Sequence, residues 1–212
     1  MKILEVKSLS IPEVKVIRFA RFCDSRGYFS EHFRKSDLKN HPDTKDVFQR
    51  IEFLQMNESF SVPGVIRGLH FQWNPFMGKL VRTLSGHMID IFLDIRKGSP
   101  NFGRAAMYDM PSERTKDYCE WIWVPPGFAH GNFFEAESAI EYLCSGEYSQ
   151  GCEAGISPLA GDIDWALCDK DLKARFDKIA SGGMIITDKD RNGFTLENWI
   201  KDGRSDNFTK EM

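Results

Sequence analysis

The ten residues HMIDIFLDIR, positions 87–96, constrain the fold more tightly than any other stretch. Side chains alternate across an extended strand, so Ile89, Ile91, Leu93 and Ile95 share one face and Asp90, Phe92 and Asp94 the other. One face is wholly apolar, while the second sets an aromatic ring between two carboxylates. Either a solvated side or the polar lumen of a small barrel would carry such a face. A phenylalanine between two aspartates is a poor solvent surface, which favours the lumen.

Runs of the same kind fill the first two thirds of the chain: EVKVIRFARF, VFQRIEFLQMNESF, KLVRTL, RAAMYDM, EWIWVP and AIEYLCSGEY. Each is rich in β-branched and aromatic residues and is bounded by Gly, Pro, Asn or Ser. No helical stretches alternate with them, so the pattern predicts a β-sandwich or barrel rather than a βαβ sheet. Helix signals are confined to RKSDLKNH near the start and to CDKDLKARFDKIA and TLENWIKDG near the end. The closing GRSDNFTKEM reads as a polar tail from about residue 202. No linker divides the 212 residues, which predicts a single domain over 1–212.

Charge removes several classes of function. With 28 basic and 31 acidic residues the net charge is -3, and no basic stripe gathers, so no nucleic-acid partner is expected. The cysteines, Cys23, Cys119, Cys144, Cys152 and Cys168, are odd in number and lack a C-x-x-C pair. Free thiols in a reducing cytoplasm fit that pattern better than a disulfide scaffold. The N-terminal segment carries charges every few residues, unlike a signal peptide. No apolar run of about 18 residues is present to span a bilayer. A soluble cytoplasmic protein with no membrane partner is the expectation.

Two glycine-punctuated runs carry polar groups where packing residues belong. GVIRGLHFQ holds Arg67, His70 and Gln72 with Lys79 close behind, and WVPPGFAHGNFF holds His130. A single histidine in a strand is often satisfied by a carbonyl. Four long polar side chains on neighbouring strands need a reason, because buried polar groups must be paired. Metal-binding cupins use an H-x-H pair followed by Glu and a further His. Here the position two after His70 is Gln72, a poor ligand for such metals, and no metal is expected. Tyr142 and Tyr148 lie six apart, on one face if the strand is regular, with Cys144 between them as filler. Taken alone, Asp190 in MIITDKDRNGF reads as a turn residue. No glycine-rich phosphate loop or dinucleotide fingerprint occurs, so no cofactor is expected.

Taken in order, these segments resemble the dTDP-4-dehydrorhamnose 3,5-epimerase family. The resemblance rests on DSRGYFSEHF, QMNESFSVPGVIRGLHFQWNP, GKLVRTLSGHMIDIFLDIRKGSPNFG, WIWVPPGFAHGNFF, AIEYLCSGEYSQGCEAGI, DIDW and ITDKD. It implies a mainly β, cupin-like jelly roll with a few short peripheral helices. It also implies a cofactor-independent isomerase that inverts C3, C5 or both beside the C4 ketone of a nucleoside-diphosphate 4-keto-6-deoxyhexose. His70 would be the base, Asp190 its carboxylate partner, Tyr142 the general acid, and Lys79 the cation facing the developing oxyanion. Tyr148 would stack on the nucleotide base. Arg26, Glu31, Gln55, Asn57, Arg67, His130, Glu153 and Lys189 fall on substrate-binding positions. The family usually forms homodimers in which an N-terminal strand crosses to the partner. Departures from its pattern are Met56 in place of an acidic residue, EYS in place of paired tyrosines, and GNFF in place of the commoner Gly-Phe start after His130. Inversion at only one carbon, another nucleotide, and a metal-dependent cupin enzyme are the competing readings.

Overall fold

The strand-forming runs become thirteen strands in the computed structural model, which describes residues 1–211. β1 (Ile3–Ser8) and β2 (Lys15–Ala20) lead to a small hairpin, β3 (Phe22–Asp24) and β4 (Gly27–Phe29). Two short helices follow, α1 (Lys35–Asn40) and α2 (Lys45–Phe48). Next come β5 (Gln55–Ser61), β6 (Ile66–Gln72), β7 (Lys79–Ser85), β8 (His87–Asp94) and β9 (Ala105–Pro111). β10 (Tyr118–Val124), β11 (Phe128–Phe134), β12 (Ser138–Cys144) and β13 (Glu153–Gly155) complete the strands. Helices α3 (Lys170–Ser181), α4 (Asp188–Arg191) and α5 (Leu196–Lys201), then a 3-10 turn over Gly203–Asn207, close the chain.

Eleven of these strands form two antiparallel sheets, in the orders β1-β2-β10-β7-β12-β5 and β13-β6-β11-β8-β9. The sheets stay separate, so the cupin-like jelly roll is a sandwich rather than a closed barrel. Three apolar layers result. Val16, Val81, Phe92, Ile122 and Phe134 fill the space between the sheets. Trp121, Trp123 and Leu80 on the outer face of the six-stranded sheet pack against Leu38 of α1 and Phe48 of α2. Ile89, Ile91 and Leu93 of β8, with Phe133, pack outward against Phe176 of α3 and Trp199 of α5. Each such side chain contributes about 1.5–3 kcal/mol on burial. Strands β8 and β11 are thus covered on both faces, and the mixed face of β8 does look inward between the sheets.

Local chemistry sets the helical caps. Asp169 begins α3 by accepting from the Asp171 and Leu172 amides, and Thr187 begins α4 by accepting from the Asp190 amide. Three expectations need correction. VFQR, read as strand, is helical at Val47–Phe48 because Phe48 buries under Trp123. The closing segment is not a loose polar tail: Phe208 is fully buried against Phe71 and Trp199, and its carbonyl accepts from the Lys97 amide. Tyr148 lies beyond β12, in a loop, so it does not share a regular strand face with Tyr142. Among the described residues no helix is long and apolar enough to cross a membrane, and all five cysteines are free.

Candidate active site

Between the sheets lies a cavity of two lobes, about 370 and 500 Å³, both lined by His70, Lys79, His130 and Tyr142. Gln55, Asn57, Tyr148 and Glu153 line the first lobe; Arg67, Lys189 and Asp190 line the second. His70, Arg67 and His130 stand on β6 and β11 of the five-stranded sheet. Lys79, Tyr142, Gln55 and Asn57 stand on β7, β12 and β5 of the six-stranded sheet. These seven sequence-identified residues therefore stand on two facing walls.

Glycines bring the first wall together. β6 and β11 approach so closely that a Cβ at Gly68 would lie 2.6 Å from the Gly131 Cα, and one at Gly131 would lie 2.3 Å from the Arg67 carbonyl oxygen. Gly68 also has φ +110°, a region that side chains disfavour. This contact explains the glycines flanking both histidines in the sequence. It sets His70 and His130 opposite each other across the ladder.

His70 Nε2 lies 2.6 Å from Asp190 Oδ1. The other carboxylate oxygen accepts from the Gly68 amide at 3.1 Å, so β6 grips both ends of the carboxylate. Burial alone would raise the Asp190 carboxyl; the hydrogen bond and charge of His70, with Gly68 and Thr187, outweigh it and hold the group below its usual range. With Nε2 engaged, Nδ1 of His70 is the nitrogen left to act as a base. The bare turn-residue reading of Asp190 is thereby corrected: it is buried on the first turn of α4.

On the second wall, burial depresses the Lys79 ammonium, and no carboxylate lies within ion-pair distance of it among the described residues. The ammonium sits 5.7 Å from the Tyr142 ring centre. Burial raises the Tyr142 phenol above its ordinary value, so it is fully protonated at neutral pH. Cys144, read as filler, forms part of the wall: its sulfur accepts from the Asn57 amide at 3.7 Å, and burial keeps it a neutral thiol.

At the rim, Tyr148 donates its hydroxyl to Glu153 at 3.0 Å, and Lys189 reaches the same carboxylate oxygen at 2.8 Å. The Tyr148 amide donates to Gln55. Gln72 fastens this loop. Its amide nitrogen donates to the Pro75 and Glu147 carbonyls and its oxygen accepts from the Ser149 amide. The position at which metal-binding cupins place a second histidine is thus spent on backbone hydrogen bonds.

Arg26 and Glu31 are not brought to this cavity. Arg26 is 88% exposed on the β3–β4 hairpin and pairs with Asp24 at 2.6 Å, while Glu31 pairs with Arg34 at 2.6 Å. Asn132, which lines the second lobe, and Asp90, which backs His130, are absent from the sequence-derived set. Asp90 is fully buried, with its oxygens 2.8 and 2.9 Å from His130 Nε2, and desolvation raises its carboxyl. The inward parity of Asp90 was readable from the strand; its partner, forty residues on, was not. Asp94, on the same face, has a structural task, accepting from Arg96 and Ser99 to close the following loop.

The sequence profile described as dTDP-4-dehydrorhamnose 3,5-epimerase matches residues 8–198. A dTDP-4-dehydrorhamnose 3,5-epimerase of Sinorhizobium fredii is 41% identical over 165 residues, covering 75% of this chain and 79% of its own. That of Shigella flexneri is 35% identical over 181 residues, covering 81% and 95%. Among solved structures, the Mycobacterium tuberculosis epimerase superposes with a TM-score of 0.75 at 29% identity, over 95% of this chain and 92% of its own. The Legionella pneumophila dTDP-6-deoxy-D-glucose-3,5-epimerase, solved with dTDP-4-keto-L-rhamnose, gives 0.74 at 29% identity over 91% and 93%. The chain belongs to the dTDP-4-dehydrorhamnose 3,5-epimerase family.

Proposed function

We propose that the protein is an isomerase that inverts C3 and C5 of dTDP-4-dehydro-6-deoxyglucose, giving dTDP-4-dehydrorhamnose. The observation that carries this reading is the placement of a His-Asp pair and a protonated tyrosine on opposite walls of one cavity. The C4 ketone acidifies the neighbouring C–H bonds. Nδ1 of His70 takes the proton and Asp190 stabilises the imidazolium that results. The electron pair moves onto O4, and the Lys79 ammonium is the preorganised charge that receives it. The planar enolate then accepts a proton from Tyr142 on the face away from His70, and the configuration inverts. Protons move but no electron pair leaves the sugar, so the reaction needs no redox cofactor. Arg67 offers a planar fork to the diphosphate, and Tyr148 offers a ring to the base.

The test is wash-in of deuterium from heavy water, followed by NMR with a panel of nucleoside-diphosphate 4-keto sugars. Wild type should incorporate label at C3 and C5, and His70→Asn should lose it. Exchange by the variant at the wild-type rate would remove His70 as the base. Label at one carbon only would reduce the activity to a single inversion.

Homodimerisation belongs to the same reading. The β3–β4 hairpin exposes Phe22, Tyr28 and Phe29, the last by 68%, and edge strand β5 exposes Met56 and Phe60. Pairing these surfaces would cover them and carry Arg26 and Glu31 toward a partner's cavity. Light scattering at micromolar concentration should give a dimer, and Phe29→Glu should shift it toward monomer; a wild-type monomer would refute the assembly. Cytoplasmic residence fits the free thiols.

A further inference from the structure

One polar side chain of the cavity wall has no partner in the fold. Asn132 follows His130 on the inward face of β11, is 7% exposed, and lines the lobe shared with Arg67, Lys79 and Tyr142. Its amide oxygen is buried and accepts no hydrogen bond among the described residues. The other buried polar groups of this wall are satisfied: His130 by Asp90, Asp190 by His70 and Gly68, Gln72 by three backbone groups. The flanking inward residues of β11 at the next positions, Phe128 and Phe134, are apolar. A leucine has the same branching and number of side-chain heavy atoms as asparagine without an unpaired amide, and the site opens on the cavity, so the fold gains nothing from asparagine there. It is also the residue at which GNFF departs from the commoner Gly-Phe.

We propose that Asn132 determines specificity by hydrogen-bonding a ring hydroxyl of the hexose bound in the cavity. The inference rests on the sugar-nucleotide reading of that cavity. In a 4-keto-6-deoxyhexose, C1 carries the diphosphate, C4 the ketone and C6 is a methyl group, so only the C2 and C3 hydroxyls are available. The terminal amide torsion is soft, and a hydroxyl both donates and accepts. The amide can therefore turn either its oxygen or its NH₂ group toward the cavity, and a hydroxyl there can meet whichever it presents. A site built around such a bond rejects the analogue that lacks it, because its own polar group is left unpaired.

The experiment compares wild type, Asn132→Leu and Asn132→Ser on dTDP-4-keto-6-deoxyglucose and its 2-deoxy and 3-deoxy analogues. It reads deuterium entry at C5, a position present in all three sugars. Wild type should prefer the parent to one analogue by roughly 10-fold or more in kcat/KM. Asn132→Leu should shrink that preference to within about 3-fold, chiefly by raising KM for the parent, and Asn132→Ser should restore part of it. Without ligand, the Leu variant should melt at the wild-type temperature or roughly 2–4 °C above it. A structural asparagine would give the opposite sign. Melting several degrees lower with the preference intact, or a wild type indifferent to both missing hydroxyls, overturns the proposal. Should the Leu variant not fold, that too assigns Asn132 to structure and overturns it. No exchange by wild type on any sugar overturns the reading of the cavity itself, a result distinct from exchange without discrimination.

Discussion

Replacing Asp190 by Asn tests the centre of the mechanism at nearly constant volume. In the folded protein one carboxylate oxygen accepts from the Gly68 amide at 3.1 Å and the other faces His70 Nε2 at 2.6 Å. In the variant the Gly68 N–H selects the amide oxygen, which turns the NH₂ group toward Nε2. That nitrogen must then accept, so the ring proton moves to Nδ1 and blocks the atom that should take the proton from carbon. The charge is lost as well. Unit charges about 4 Å apart attract by about 4 kcal/mol at an effective dielectric of 20. Because His70 is partly open to the cavity, a discounted figure of about 2–3 kcal/mol applies, or roughly 30- to 150-fold. With the tautomer penalty added, kcat should fall by roughly 10²- to 10⁴-fold with little change in KM. Deuterium wash-in at C3 and C5 under saturating substrate measures this, with circular dichroism to check the fold. Activity within fivefold of wild type would refute the dyad. Stability supplies a second reading: the folded carboxyl is held below its unfolded value of about 3.9. Its contribution is therefore present above about pH 4 and is lost as pH falls through the lower folded value. Wild type and variant should differ in melting temperature at pH 6 and converge in acid.

Tyr142→Phe should lower kcat by roughly 10²- to 10⁴-fold. Because burial raises the phenol, the wild-type alkaline limb assigned to this residue should lie above about pH 10. Lys79→Met should separate stability from activity. Removing an unpaired, half-buried ammonium should hold or raise the melting temperature by about 2–4 °C, while kcat falls by roughly 10²- to 10³-fold; a less stable, fully active variant would contradict that role. Phe208→Ala should cost about 3–5 kcal/mol in urea denaturation, since the ring is fully buried against Phe71 and Trp199. A cost under about 1 kcal/mol would return the closing segment to the status of a tail.

Period-two patterning made the mixed face of β8 legible, because inward and outward sets differ by a single step along the strand. It could not reveal that the outward isoleucines are covered by Phe176 and Trp199, more than eighty residues away. The same limit hid the Asp90–His130 pair, whose members each looked unexplained alone. Six-residue spacing placed Tyr142 and Tyr148 on one face, but that rule holds only while the strand continues. The chain leaves β12 at Cys144, and Gln72 holds the loop that carries Tyr148. For the tail, the polar count masked one aromatic: Phe208 buries its ring in the core, and backbone hydrogen bonds with Lys97 fasten the segment around it. Arg26 and Glu31 came only from the resemblance, and one chain leaves them outside the cavity. The His70–Asp190 pairing had the same source, and here the fold places the two side chains in contact.

Inversion explains why the site is divided between two sheets. The carbon beside the ketone must lose its proton on one face, flatten into the enolate and gain a proton on the other, so base and acid need opposing walls about one substrate apart. Two packed sheets stand about 10 Å apart, which leaves room for a flat ring between side chains projecting from each. The walls are tuned by different means. His70 is oriented by a carboxylate carried by a separate helix turn, whereas Tyr142 is kept protonated chiefly by burial. The spacing between them is set by neither residue but by Phe92, Val81 and Phe134, which fill the adjoining inter-sheet core. Enlarging or shrinking those side chains should therefore change the rate of reprotonation relative to abstraction, while leaving the His70–Asp190 contact and its pH dependence as they are.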